Sequence, residues 1–143
     1  MMERLKKVAT GLDLPFGDRR MTYNSRLAQE LSKWAETKGY GDQFHRIIFH
    51  LYFAEGLNIA NPNLLVRSAG SIGLSEEEAQ EILNARSFKE AVDADWRLSR
   101  SLGITAVPTF VVKESILVGA QPYETLEKFL LREGGMRQAE TRE

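Results

Sequence analysis

The stretch Ile104-Thr105-Ala106-Val107-Pro108-Thr109-Phe110-Val111-Val112 decides how this chain is read. Thr109 to Val112 is β-branched and aromatic, the composition of a buried strand. Pro108 sits directly in front of it. Proline donates nothing to a sheet ladder, so it is confined to edges, bulges and first positions. Taken alone, Val107-Pro108 is an ordinary trans bond that starts an edge strand, since most X–Pro bonds are trans. Lys113-Glu114-Ser115 is a polar break, and Ile116-Leu117-Val118 is a second apolar run that ends at Gly119. Together they predict a β-hairpin. Pro122 opens a final helix with Leu126, Phe129 and Leu130 on one face, and Gly134-Gly135 ends it.

Upstream the pattern is helical. Asn24-Ser25 offers a cap, and Leu27, Leu31, Trp34 and Ala35 recur at helical spacing as far as Gly39. Asp42 is expected to cap the next helix, whose Phe44, Ile47, Ile48, Leu51 and Tyr52 form one apolar face. Phe49 and Phe53 fall on the opposite side. A helix apolar on two sides is expected to be buried on two sides, so this segment reads as the centre of a bundle, ending near Gly56. Asn61-Pro62 is a cap followed by a first-turn proline, and the helix runs to Gly73. Ser75-Glu76-Glu77-Glu78 is a capping box with its acids on the positive end of the helix dipole. Ser87-Phe88-Lys89-Glu90 repeats the box and opens a helix through Ala91, Ala94, Leu98 and Leu102 to Gly103. About six helices and one hairpin result. A two-stranded sheet is marginal alone, so either the N-terminal segment or a second copy is expected to cover it.

Composition removes several classes of function. The 143 residues, 43% hydrophobic and 27% charged, suit a globular chain with a real core. The net charge of −1 gives no basic excess for nucleic acid or a membrane surface. The apolar runs are too short to span a bilayer, and Met1 to Lys7 is basic without an apolar stretch behind it. The expected compartment is the cytoplasm. With no cysteine, the chain holds no disulfide, thiolate metal site or thiol nucleophile. His45 and His50 are five residues apart and do not share a helical face as a metal pair would. They read as hydrogen-bonding histidines, and no metal site is expected. Asp93 and Asp95 point to different sides of their helix and are expected to be solvated. Gly70-Ser71-Ile72-Gly73 lacks the preceding strand that a dinucleotide loop needs. No catalytic residue is assigned from these patterns.

The order of elements around Val107-Pro108-Thr109 gives more. A helix ending at Gly103, the proline stretch, a hairpin, a glycine and a helix resemble the C-terminal half of a thioredoxin fold. Four segments carry the likeness in order: Tyr23-Asn24-Ser25-Arg26-Leu27-Ala28, then Phe49-His50-Leu51-Tyr52-Phe53-Ala54-Glu55-Gly56, then Leu102-Gly103-Ile104 with Val107-Pro108-Thr109-Phe110, then Val118-Gly119-Ala120-Gln121-Pro122. They resemble the DsbA-like family, which includes FrnE-type proteins, 2-hydroxychromene-2-carboxylate isomerases and kappa-class glutathione transferases. The resemblance runs from about Leu12 to Leu131. It implies a mostly helical α/β chain, a thioredoxin-like fold with an inserted helical domain and a sheet reduced to one hairpin. It implies a lead-in over 1–23, a helical insertion over 24–86, the second half of the thioredoxin unit over 87–135 and a flexible tail over 136–143.

The resemblance also implies that Pro108 is the family's cis-proline. Ala106, Val107, Pro108 and Thr109 would then form the loop that meets a peptide or thiol substrate, with the Val107 backbone open to strand addition. The implied activity is thiol–disulfide oxidoreductase. Only about twenty residues precede Asn24, too few for the family's strand–helix–strand unit with its active-site motif. The chain therefore resembles a member without that third, and without cysteine it is not expected to run dithiol exchange. The alternatives are a glutathione-dependent isomerase or transferase with glutathione against Val107-Pro108, and a non-catalytic peptide-binding module that dimerises through its hairpin. No other cofactor is expected.

Overall fold

The computed structural model describes residues 2–18 and 21–135. It falls into two compact units, Met1–Asp95 and Trp96–Glu143.

The first unit opens with α1 (Met2–Gly11). Its signal was present in the sequence, because Leu5, Val8, Ala9 and Leu12 follow the i, i+3, i+4, i+7 rule. The segment before Asn24 therefore contributes a helix and, among the described residues, no strand. The helical core follows. It contains α2 (Arg26–Thr37), α3 (Gly41–Phe49), a π-helical turn (His50–Ala54), α4 (Pro62–Ser71) and α5 (Glu76–Ala85). α2 packs against α3, α4 and α5. That central place explains its burial pattern: Ala28, Glu30, Leu31, Ser32, Trp34 and Ala35 are all buried, far more than one stripe. Phe44 and Ile48 of α3, Leu65 and Ala69 of α4, and Ala79 and Leu83 of α5 complete the core.

The helix ends follow the local chemistry with two exceptions. Asn61 Oδ1 accepts from the Asn63 N–H at 3.0 Å, and Ser75 Oγ accepts from the Glu78 N–H at 3.1 Å. Each satisfies one orphan donor of a first turn. The Glu78 carboxylate, however, turns away from the box: it accepts from Trp34 Nε1 at 3.2 Å and pairs with Lys38 Nζ at 2.7 Å. Asp42 is not a cap either. Tyr40 holds that position, and Asp42 lies inside the first turn of α3, where its charge still suits the dipole.

α3 departs from expectation on its far side. Phe49 is 60% exposed and Phe53 40%, so within the described chain the helix is buried on one side only. The backbone widens at His50, where the Glu55 N–H reaches the His50 carbonyl across five residues at 3.1 Å. Leu51 and Tyr52 stay against the core. The Gly17 N–H donates to the Phe53 carbonyl at 2.8 Å, tying the lead-in to this turn.

α6 (Lys89–Ser101) begins two residues after Ser87. Asp93 and Asp95 are not simply solvated. Asp93 pairs with Arg26 and Asp95 with Lys33, each at 2.7 Å, clipping the start of α6 to α2.

The second unit holds β1 (Thr109–Val112), β2 (Ser115–Val118) and α7 (Tyr123–Arg132). The strands are antiparallel with Thr109 opposite Val118 and Val112 opposite Ser115. Lys113, at φ 53°, turns the two-residue loop. Period-two alternation puts Thr109, Val111, Ile116 and Val118 on one face, where Val111, Ile116 and Val118 are all exposed. The sheet has two strands among the described residues. Phe129 of α7 is buried. Ser115 Oγ donates to Glu133 Oε1, and Lys113 Nζ to the Glu133 carbonyl, both at 2.8 Å. No helix among the described residues is long and apolar enough to cross a membrane. The expected tail, 136–143, lies outside the described residues.

Candidate functional site

The proline loop is shaped by three local choices. Gly103, at φ 71°, ends α6 in the left-handed region that glycine adopts without penalty. The Val107–Pro108 peptide bond is cis. Thr109 then starts the strand, and its Oγ1 donates to the Ala106 carbonyl at 2.6 Å, closing the loop on itself. From the other strand, the Gly119 N–H donates to the Pro108 carbonyl at 2.8 Å. Gly119 takes φ 95°, and Gln121 Nε2 donates to the Val118 carbonyl at 2.8 Å, so the Gly-Ala-Gln-Pro turn braces this end of the hairpin.

Between these anchors Val107 stands out. It is 90% exposed. Among the described residues, no hydrogen bond reaches its N–H or its carbonyl. The loop thus combines a pinned backbone with one highly exposed residue whose peptide groups carry no hydrogen bond among the described residues. Chemically it can align an extended chain or a small ligand carrying amide groups. From Ala106 to Thr109 its side chains carry one hydroxyl, that of Thr109, and no titratable group.

The first unit holds a separate cavity of about 560 Å³. Its floor is made by Ala28, Ile48, Ile59 and Val92, which are buried. Its lining also includes the aromatic side chains of Phe49, Tyr52 and Phe53 and the polar ones of Lys33, Glu36, His45 and Asp95. Asp95 accepts from Lys33 and holds the Lys33 ammonium above the usual lysine range. His45 lies 3.9 Å from Glu36, and His50 lies 3.1 Å from Glu55. The two histidines therefore face different carboxylates. Among the described residues no group of three or more histidines, cysteines and carboxylates is placed to hold a metal ion.

Glu30 was not singled out in the sequence. It is 1% exposed and sits at the meeting point of two arginines. Arg86 donates to both its oxygens at 2.7 Å, and Arg26 Nε donates at 2.7 Å. The Arg86 hydrogen bonds hold its carboxyl below the ordinary glutamate range, against the opposing effect of burial and with help from Arg26. Arg86 reaches it from the left-handed C-cap of α5. Helical periodicity gives no warning of such a residue, because position 30 reads as an ordinary polar site. These groups are saturated by one another, so the cluster is structural.

The model of the DSBA-like thioredoxin domain family matches residues 1–131. The chain belongs to the DsbA-like thioredoxin family. The uncharacterized protein YwbO of Bacillus subtilis (strain 168) is 27% identical to the DsbA-like chain over 103 residues, covering 71% of it and 52% of YwbO. The chain thus spans about half the length of that relative. A solved structure of 2-hydroxychromene-2-carboxylate isomerase superposes with a TM-score of 0.77 at 17% identity, covering 90% of this chain and 63% of the other. At that identity the likeness establishes the shared fold. The mostly helical, thioredoxin-like reading of the sequence is therefore correct.

Proposed function

We propose that this DsbA-like chain presents the Ala106–Thr109 loop as a docking edge for an extended peptide or thiol substrate, and that it performs no dithiol exchange through residues of its own. The observation that carries the reading is Val107: an exposed residue, with no hydrogen bond to its peptide groups among the described residues, in a loop fixed by the Thr109–Ala106 and Gly119–Pro108 hydrogen bonds. An incoming strand gains main-chain hydrogen bonds there without having to order the loop first. Thiol exchange needs a thiolate, and the chain has no cysteine.

The test is calorimetric titration with a short extended peptide, alongside an insulin-reduction assay. The peptide is expected to bind and insulin to remain oxidised. Thr109→Val keeps the side-chain shape but removes the bond that closes the loop. Losing about 1 kcal/mol of preorganisation should weaken peptide binding roughly fivefold while the fold survives. Insulin reduction by the chain alone, or unchanged affinity in the variant, contradicts the reading.

A second reading is supported by the likeness to 2-hydroxychromene-2-carboxylate isomerase: glutathione would occupy the same loop and serve an isomerase or transferase reaction. Saturable binding of glutathione, with no binding of the extended peptide, would favour it.

A further inference from the structure

We infer that the cavity of the first unit is a binding site for a small aromatic amine, with Glu36 receiving the ammonium group. No residue of the proline loop lines the cavity, and the inference is independent of the reading given to that loop.

Its size, about 560 Å³, falls in the range of small-molecule sites. The buried residues Ala28, Ile48 and Ile59 offer no hydrogen-bonding side chain, so the part of the ligand that meets them is apolar, while Ser32 and Gln29 are polar groups in the same lining. The aromatic wall at Phe49 matches a flat ring system. The charged part of the lining supplies the charge preference. Its described residues carry two carboxylates, Glu36 and Asp95, against one ammonium, Lys33. Those three groups are not equivalent. Lys33 Nζ is drawn to Asp95 at 2.7 Å and stands 3.6 Å from Glu36. On its other side Glu36 finds His45 Nε2 at 3.9 Å. Both distances exceed that of a short charge-assisted hydrogen bond. Among the described residues Glu36 is thus the carboxylate of the cavity with no ion-pair partner closer than 3.6 Å. Gly41 leaves room for it, since a Cβ on residue 41 would lie 2.7 Å from Glu36 Cγ. An added cation beside Glu36 restores the charge balance of the wall, whereas an anion would meet two carboxylates.

The test uses three indole compounds that differ in one group: tryptamine, neutral tryptophol and anionic indoleacetate. Each is titrated into the full chain by calorimetry. Methyl resonances of Ala28, Ile48 and Ile59 report where it binds. Tryptamine is expected to bind at the cavity methyls at least about fivefold more tightly than indoleacetate, the scale of one partly exposed ion pair. Glu36→Gln, at a half-exposed position, should keep the fold by circular dichroism and abolish that preference while tryptophol binding stays unchanged. Three results would overturn the inference: no saturation by tryptamine at millimolar concentration, indoleacetate binding as tightly as the amine, or methyl shifts that leave Ala28, Ile48 and Ile59 untouched.

Discussion

Replacing Glu30 by glutamine removes one negative charge from the least exposed ionic site of the described chain. The carboxylate accepts three hydrogen bonds at 2.7 Å, two from the Arg86 fork and one from Arg26. Removing one partner from a buried ion pair costs about 3–5 kcal/mol, because the other charge is stranded. Here the stranding is incomplete. Arg26 keeps Asp93 at 2.7 Å, and the Arg86 side chain is 43% exposed, so water replaces part of the loss. The expected cost of Glu30→Gln is therefore about 2–3 kcal/mol. For a chain of this length that lowers the melting temperature by about 10 °C.

Urea unfolding followed by far-ultraviolet circular dichroism and tryptophan fluorescence measures it, with buried Trp34 reporting the first unit. The pH dependence adds a second check. The folded carboxyl is held below its unfolded value, near about 4.3. Its stabilisation is therefore complete well above that pH and is lost as pH falls through the lower, folded value. The gap between the native chain and the variant should be full at neutral pH and close on acidification. A loss under about 0.5 kcal/mol at neutral pH, as for an ordinary surface change, would refute the buried cluster. A gap that widens in acid would refute the assigned direction.

Other substitutions test the packing directly. Phe44→Ala, at a fully buried position, should cost about 3–5 kcal/mol in the same unfolding assay. Phe49→Ala, one and a half turns along the same helix but 60% exposed, should cost under about 1 kcal/mol. Equal losses would mean that Phe49 is covered in solution. Ser75→Ala removes the acceptor for the Glu78 N–H and should lower stability by about 1 kcal/mol, while Ser75→Gly should lose only a few tenths.

The sequence was most informative where one backbone rule decides the outcome. Asn61-Pro62, Ser75, Gly103, the Lys113-Glu114 loop and Pro122 each mark an element boundary, and each boundary falls there or within two residues. It was less informative where tertiary context decides. Two apolar faces from α3 into the π-helical turn read as two buried faces, yet Phe49 and Phe53 keep 60% and 40% of their surface exposed in the described chain. Local periodicity reports that a side chain is apolar, not how far the tertiary structure buries it. Asp93 and Asp95 read as solvated because their cations lie more than sixty residues away on α2. Glu30 was invisible for the same reason. α1 is a different case, since its apolar spacing was present and went unread.

The candidate site divides in the same way. Val107-Pro108-Thr109 stood out through its flanking elements, and the family follows from the chain-wide match. The Thr109–Ala106 lock and the exposure of Val107 needed coordinates. So did the cavity, which draws on α2 and the residues before it, α3, the π-helical turn, Ile59 and the start of α6.

Backbone amide mapping by NMR tests the central claim most directly. An isotope-labelled chain is titrated with an unlabelled extended peptide, and each shifted amide is assigned. If the loop is the docking edge, the largest shifts fall on Ala106, Val107 and Thr109, fading along β1, with α1 and α4 silent. Saturation with the loop unshifted, or no shift anywhere at millimolar peptide, would contradict it.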